Sequence, residues 1–63
     1  MKLLTTQDLE TMTGIPARTF DQYAYRGIGP EYVKLGRHRR YRPEAIEAWV
    51  NANTRGGPDA PAA

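Results

Sequence analysis

The placement of glycine and proline constrains this chain more than any other feature. Gly14, Pro16, Gly27, Gly29, Pro30, Gly36 and Pro43 divide its 63 residues into short stretches. Each breaker has a positional meaning, because glycine closes helices in the left-handed conformation and proline opens them. The pattern predicts a helix ending before Gly14, a second between Pro16 and Gly27, and a turn at Ile28-Gly29-Pro30. A hairpin around Gly36-Arg37-His38 and a last helix starting at Pro43 complete it. A domain of this length buries roughly 60% of the surface its unfolded chain exposes, enough for one small core. It leaves no room for a deep cleft between two layers or for separate catalytic and binding domains.

The first helix opens on Leu4-Thr5-Thr6-Gln7-Asp8-Leu9. Thr5 and Asp8 have the spacing of a capping box, and Leu4 and Leu9 that of a hydrophobic staple. With Leu9 and Met12 as its apolar side, this helix is expected over residues 6–12. In the second helix, about 100° per residue places Ala17, Phe20 and Ala24 on one side. Arg18, Thr19, Gln22, Tyr25 and Arg26 share the opposite arc, which holds two arginines and no carboxylate. Tyr32–Leu35 and Arg39–Arg42 are β-prone runs. Val33 and Leu35 share one phase; Tyr41 is expected to point inward and Arg40 and Arg42 away. Arg37, His38 and Arg39 then form a tip with no acid nearby. In the last helix Glu44 and Glu47 lie near the positive end, and Ala45, Ile46, Trp49 and Val50 form the apolar stripe. Residues 1–53 read as one domain, and 54–63, rich in Gly, Pro and Ala, as a flexible tail.

Charge is segregated rather than large. The chain carries nine basic and seven acidic residues, a net +2. Between Arg18 and Arg42, however, seven basic residues face only Asp21 and Glu31, a net +5. A basic block on a balanced domain is the footprint of a polyanion partner, and arginine suits bidentate phosphate and guanine contacts. Without cysteine there are no disulfides or thiolate metal sites, and one histidine cannot hold zinc by itself. Apolar runs are too short for a membrane span, and no apolar signal core opens the chain. A cytoplasmic protein on DNA, without cofactor, metal or membrane, is the expectation.

Helix, tight turn, helix, basic hairpin, helix is the order of a small winged helix-turn-helix: mainly α, three helices plus a wing. The residues point the same way. Leu4–Leu9, Gly14-Ile15-Pro16-Ala17-Arg18-Thr19, Gly27-Ile28-Gly29-Pro30, Tyr32–Arg37 and Tyr41-Arg42 leading into Glu44–Val50 together resemble the excisionase family with its MerR-like DNA-binding domain. The resemblance spans about residues 3 to 52; each segment is weak alone, and their order and spacing carry it. It implies a double-stranded DNA-binding protein without catalysis, whose second helix enters the major groove and whose wing reaches the minor groove or backbone. Phage members, also termed recombination directionality factors, bind repeated sites beside an attachment site. They bend the DNA so that a tyrosine integrase excises instead of integrating; AlpA-like and MerR-like relatives regulate transcription. The Arg, Ala, Gly and Pro content fits a high-GC source such as an actinobacteriophage. Two departures stand out: Pro16 replaces the usual Ser or Thr cap of helix 2, and Arg39 replaces an apolar wing residue.

The candidate DNA-binding residues are Arg18, Thr19, Gln22, Tyr23, Arg26, Arg37, His38, Arg39 and Arg40. Thr19 has the alternative of bonding its own backbone, Tyr23 of packing under the wing, and His38 of being a polar tip residue. Tyr25 is either a phosphate donor or a lid on the core, while Phe20, Tyr41, Ile46 and Trp49 are core. Arg37, His38, Arg40 and Tyr41 match the residue types of tyrosine recombinases, but four neighbours on one hairpin cannot converge on one phosphate. An enzyme is therefore not expected, and a pure protein-docking module is the third class. With one recognition helix and no heptad, the chain is expected to be a monomer without DNA and to act through neighbouring copies on DNA.

Overall fold

The computed structural model describes residues 1–56, which form three helices and one hairpin. The elements are α1 (Thr6–Thr13), α2 (Ala17–Arg26), β1 (Val33–Leu35), β2 (His38–Arg40) and α3 (Pro43–Ala52). This is the winged helix-turn-helix order that the breakers predict. The tail expected from residue 54 lies, from residue 57 onward, outside the described residues.

The helix boundaries follow from their caps. The Thr5 hydroxyl accepts from the Asp8 amide at 3.1 Å, and the Asp8 carboxylate accepts from the Thr5 amide at 2.9 Å. That reciprocal box satisfies two amides that would otherwise lack partners. The Thr5 amide hydrogen bond is the main reason the Asp8 carboxyl is held below its ordinary range. Leu4 and Leu9 flank the box as the staple spacing requires, both buried. Thr13 then ties the turn: its hydroxyl donates to the Leu9 carbonyl at 2.7 Å and accepts from the Ile15 amide at 3.1 Å. The chain leaves α1 through Gly14 and α2 through Gly27, whose φ of 72° a side chain rarely adopts.

Pro16 occupies the N-cap position of α2 and offers no side-chain bond, as its lack of a hydroxyl dictates. The Glu10 carboxylate of α1 takes over part of that work, accepting from the Ala17 amide at 3.4 Å. The lost cap is thus replaced from the neighbouring helix, which also ties α1 to α2.

Leu4, Leu9, Phe20, Tyr41 and Ile46 form the core, with Ile15, Tyr23 and Trp49 packed against it. Two expected apolar positions do not join it: Met12 is 57% and Val50 46% exposed. Both lie at the margin of their helix's stripe, and a core of five buried residues has no surface left to cover them.

The hairpin pairs Val33 with Arg40, Lys34 with Arg39 and Leu35 with His38 around the two-residue turn Gly36-Arg37. His38 is therefore the first residue of β2 and not part of the turn. The alternation puts Val33 and Leu35 on the face of His38 and Arg40, opposite Tyr41. Leu35 is accordingly half-exposed. Leu4 closes the base of the hairpin by a two-bond antiparallel bridge to Tyr41, at 2.7 and 2.8 Å. A residue just before α1 thus extends the wing sheet.

Candidate nucleic-acid interface

Helix α2 divides its residues as its periodicity dictates. Phe20 is buried, while Ala17 and Ala24 are half-buried beside it. Arg18, Gln22, Tyr25 and Arg26 are exposed, and Thr19 is half-buried at the edge of that arc. Tyr25 is 94% exposed, so it is no lid on the core. Together with Asp21, Gln22 and Arg26, it lines a shallow surface groove of about 390 Å³. Among the described residues, Arg18, Arg26 and Arg37 take part in no ion pair. Their charges act on whatever approaches.

An aromatic cluster fixes the pitch of this helix against the body. Phe20 meets Tyr23 edge-on at 5.9 Å between ring centres and Trp49 at 5.8 Å, and Tyr23 and Trp49 lie 6.1 Å apart. Such pairs add about 0.5–1.5 kcal/mol each beyond their buried area. The Trp49 indole also donates to the Ile28 carbonyl at 3.2 Å, clamping α3 to the turn that leaves α2. The Tyr23 ring is half-buried in this cluster, against Phe20 and Trp49, and is less exposed than the arginines of the same helix.

The wing needs a correction. Arg39 does have an acid nearby: its guanidinium donates to the Asp21 carboxylate of α2 at 2.6 Å. It also lies over the Tyr32 ring, 5.4 Å from the centre. The Asp21 hydrogen bond holds the Arg39 guanidinium above its already high ordinary range. Spacing gives no hint of this contact, because the partners are eighteen residues apart and join different elements. Arg40 is half-buried and donates to the Arg39 carbonyl at 2.9 Å, so it does not simply point away from the body. Arg37 and His38 remain exposed at the tip.

Beneath Arg39, the Tyr41 hydroxyl is buried without a hydrogen-bond partner. Burial is the main cause that pushes its phenol above the ordinary range, with Arg39 opposing. Tyr32 packs edge-on to this ring at 6.2 Å. No group of three or more His, Cys, Asp or Glu among the described residues is arranged to hold a metal ion. No helix among them is long and apolar enough to cross a membrane.

An exposed arginine-bearing helix, set after a tight turn and flanked by a basic hairpin, defines the winged helix-turn-helix class of DNA-binding modules. The family model described as "Helix-turn-helix domain" matches residues 3–54. The chain belongs to that family, which is found in small DNA-binding proteins, excisionases among them, and is typically non-enzymatic. No curated protein and no solved structure gives a significant match.

Proposed function

We propose that this chain is an excisionase: it binds repeated duplex sites beside an attachment site cooperatively, bends the DNA and directs a tyrosine integrase toward excision. The observation that carries the DNA-binding part is the exposed arginine set of Arg18, Arg26 and Arg37, without an ion pair among the described residues, beside Gln22 and His38 on α2 and the hairpin. Arg18 and Gln22 sit in the first turns of α2, where side chains reach base edges in the major groove. Thr19 lies between them. Arg26 at the end of the helix, with Arg37, His38 and the Arg40 guanidinium on the wing, suits phosphates.

The architectural part rests on the segment order shared with excisionases and on the limited reach of one such module. A single module of this kind buries roughly 600–1,000 Å² of its own surface on DNA, too little for selective occupancy of a genome. Adjacent copies supply the missing specificity, and each copy gripping two grooves bends its segment at a cost of a few kcal/mol repaid in contacts. The experiment is gel mobility on fragments tiled across the DNA flanking the chain's own gene. The proposal expects a ladder of cooperative complexes whose mobility depends on where the sites lie in the fragment. A single complex running independently of site position would leave the small transcriptional regulator as the better reading.

A further inference from the structure

Arg39 lies in the basic block, yet its guanidinium is already engaged. We infer that Arg39 is a positioning residue, latched by Asp21 to fix the wing against α2 so that one protomer engages two grooves at once. The inference rests on the DNA-binding reading above and deepens it.

The hairpin needs such a restraint. It has three residue pairs and a two-residue turn, and a two-stranded hairpin of that size has marginal stability of its own. At its base the Leu4–Tyr41 bridge joins it to the start of the chain. Toward the tip, the Arg39–Asp21 ion pair is the one side-chain hydrogen bond among the described residues that links the strands to α2. Without it the strands pivot on their base, and Arg37 and His38 swing with them.

Arg39 is also built to stay. Its side chain is 28% exposed, against 58% for Asp21, so the cation is the more enclosed partner. The Tyr32 ring lies against its guanidinium, 5.4 Å from the central carbon to the ring centre, while Nη1 meets the carboxylate. Guanidinium can hold an aromatic ring and a carboxylate together, which suits arginine better than lysine here. Asp21 gains too. It is the only carboxylate of α2, and unpaired it would repel the phosphates that the same helix approaches.

The sign of one substitution separates a latch from a phosphate contact. Wild type, Asp21→Asn, Arg39→Gln and the double variant are titrated against one duplex, with thermal unfolding to show that each is folded. A latch predicts that Asp21→Asn weakens binding although it removes a negative charge, by roughly two- to fivefold, the range an ion pair of this exposure carries. Arg39→Gln weakens it likewise, and the double variant is no worse than the poorer single. Hydroxyl-radical protection under the wing is lost in both singles, while guanine N7 protection under α2 persists. If Asp21→Asn tightens binding and Arg39→Gln costs the same in either background, Arg39 is a direct phosphate ligand and the latch is wrong. Loss of both protections together, with unfolding, would likewise overturn it by making the pair a simple fold determinant. A wild type without duplex affinity removes the DNA-binding reading itself, whereas a wild type that binds with an additive cycle removes only the latch.

Discussion

Gly27 and Gly29 stand two residues apart in the turn between α2 and the wing, and they are glycine for different reasons. Gly27 has open space around it but a φ of 72°, so a side chain there costs backbone strain of about 1 kcal/mol. Gly29 has no such φ; a Cβ on it would lie 2.8 Å from the Tyr23 Cβ. Carbon atoms rest at about 3.5–4.0 Å, so roughly 1 Å must be found. The root of the Tyr23 side chain cannot rotate away, and its ring is held by Phe20 and Trp49. Either the turn lifts off α2, stretching the Trp49–Ile28 hydrogen bond, or the aromatic cluster shifts. Overpacking of this kind costs about 1–3 kcal/mol. For a domain this small each kcal/mol moves the melting temperature by roughly 4–8 °C. Gly29→Ala should therefore melt well below wild type, with a changed Trp49 emission, while Gly27→Asn loses little because asparagine tolerates the left-handed region. Circular dichroism melts and fluorescence decide it. A Gly29→Ala protein as stable as wild type would show that the turn accommodates a Cβ against Tyr23 without strain.

Tyr41→Phe removes a buried hydroxyl that has no partner, so stability should be unchanged or rise by up to about 1 kcal/mol in denaturant titrations. Because burial raises the Tyr41 phenol, its contribution is complete below the ordinary value of about 10 and lost as pH rises through the folded value; Tyr41→Phe should lack that alkaline loss. The lowered carboxyl of Asp8 acts in the opposite direction. Its contribution is present above the ordinary carboxylate value of about 3.9 and lost as pH falls through the folded value, so the gap in melting temperature between wild type and Asp8→Asn should close in acid. Arg18→Ala or Gln22→Ala should relax sequence preference, whereas Arg37→Ala weakens binding evenly across sequences, as competition with specific and scrambled duplexes will show.

Local patterns in this sequence carry local structure well. The Thr5–Asp8 box, the Gly14 and Gly27 exits, Pro43 at the start of α3 and the Phe20 side of α2 each follow from a few adjacent residues and appear where their chemistry requires. Contacts between distant residues are a different matter. Nothing in the spacing of Leu4 and Tyr41 announces a strand bridge, and nothing in that of Asp21 and Arg39 an ion pair. Glu10, on the exposed side of α1, caps the next helix only because the Thr13–Ile15 turn brings the two together. The strand phase shows the limit most clearly. Val33 and Leu35 look like inward residues by composition, but the register gives the inner face to Tyr41 and Arg39, where an arginine paired with Asp21 and covered by Tyr32 replaces an apolar residue. The exposed arc of α2, by contrast, follows from helical periodicity, which places Arg18, Gln22, Tyr25 and Arg26 outward and leaves Thr19 half-buried at its edge.

On the function proposed above, the arginine face of α2 and the wing tip grip duplex DNA through its phosphates. The most direct measurement is the affinity of the intact chain for duplex DNA as a function of salt. With about four to six phosphates neutralised per protomer, log affinity should fall with log salt at a slope of roughly −4 to −5. A slope near zero, or no binding to duplex DNA at low salt, would mean that these arginines do not serve a DNA backbone.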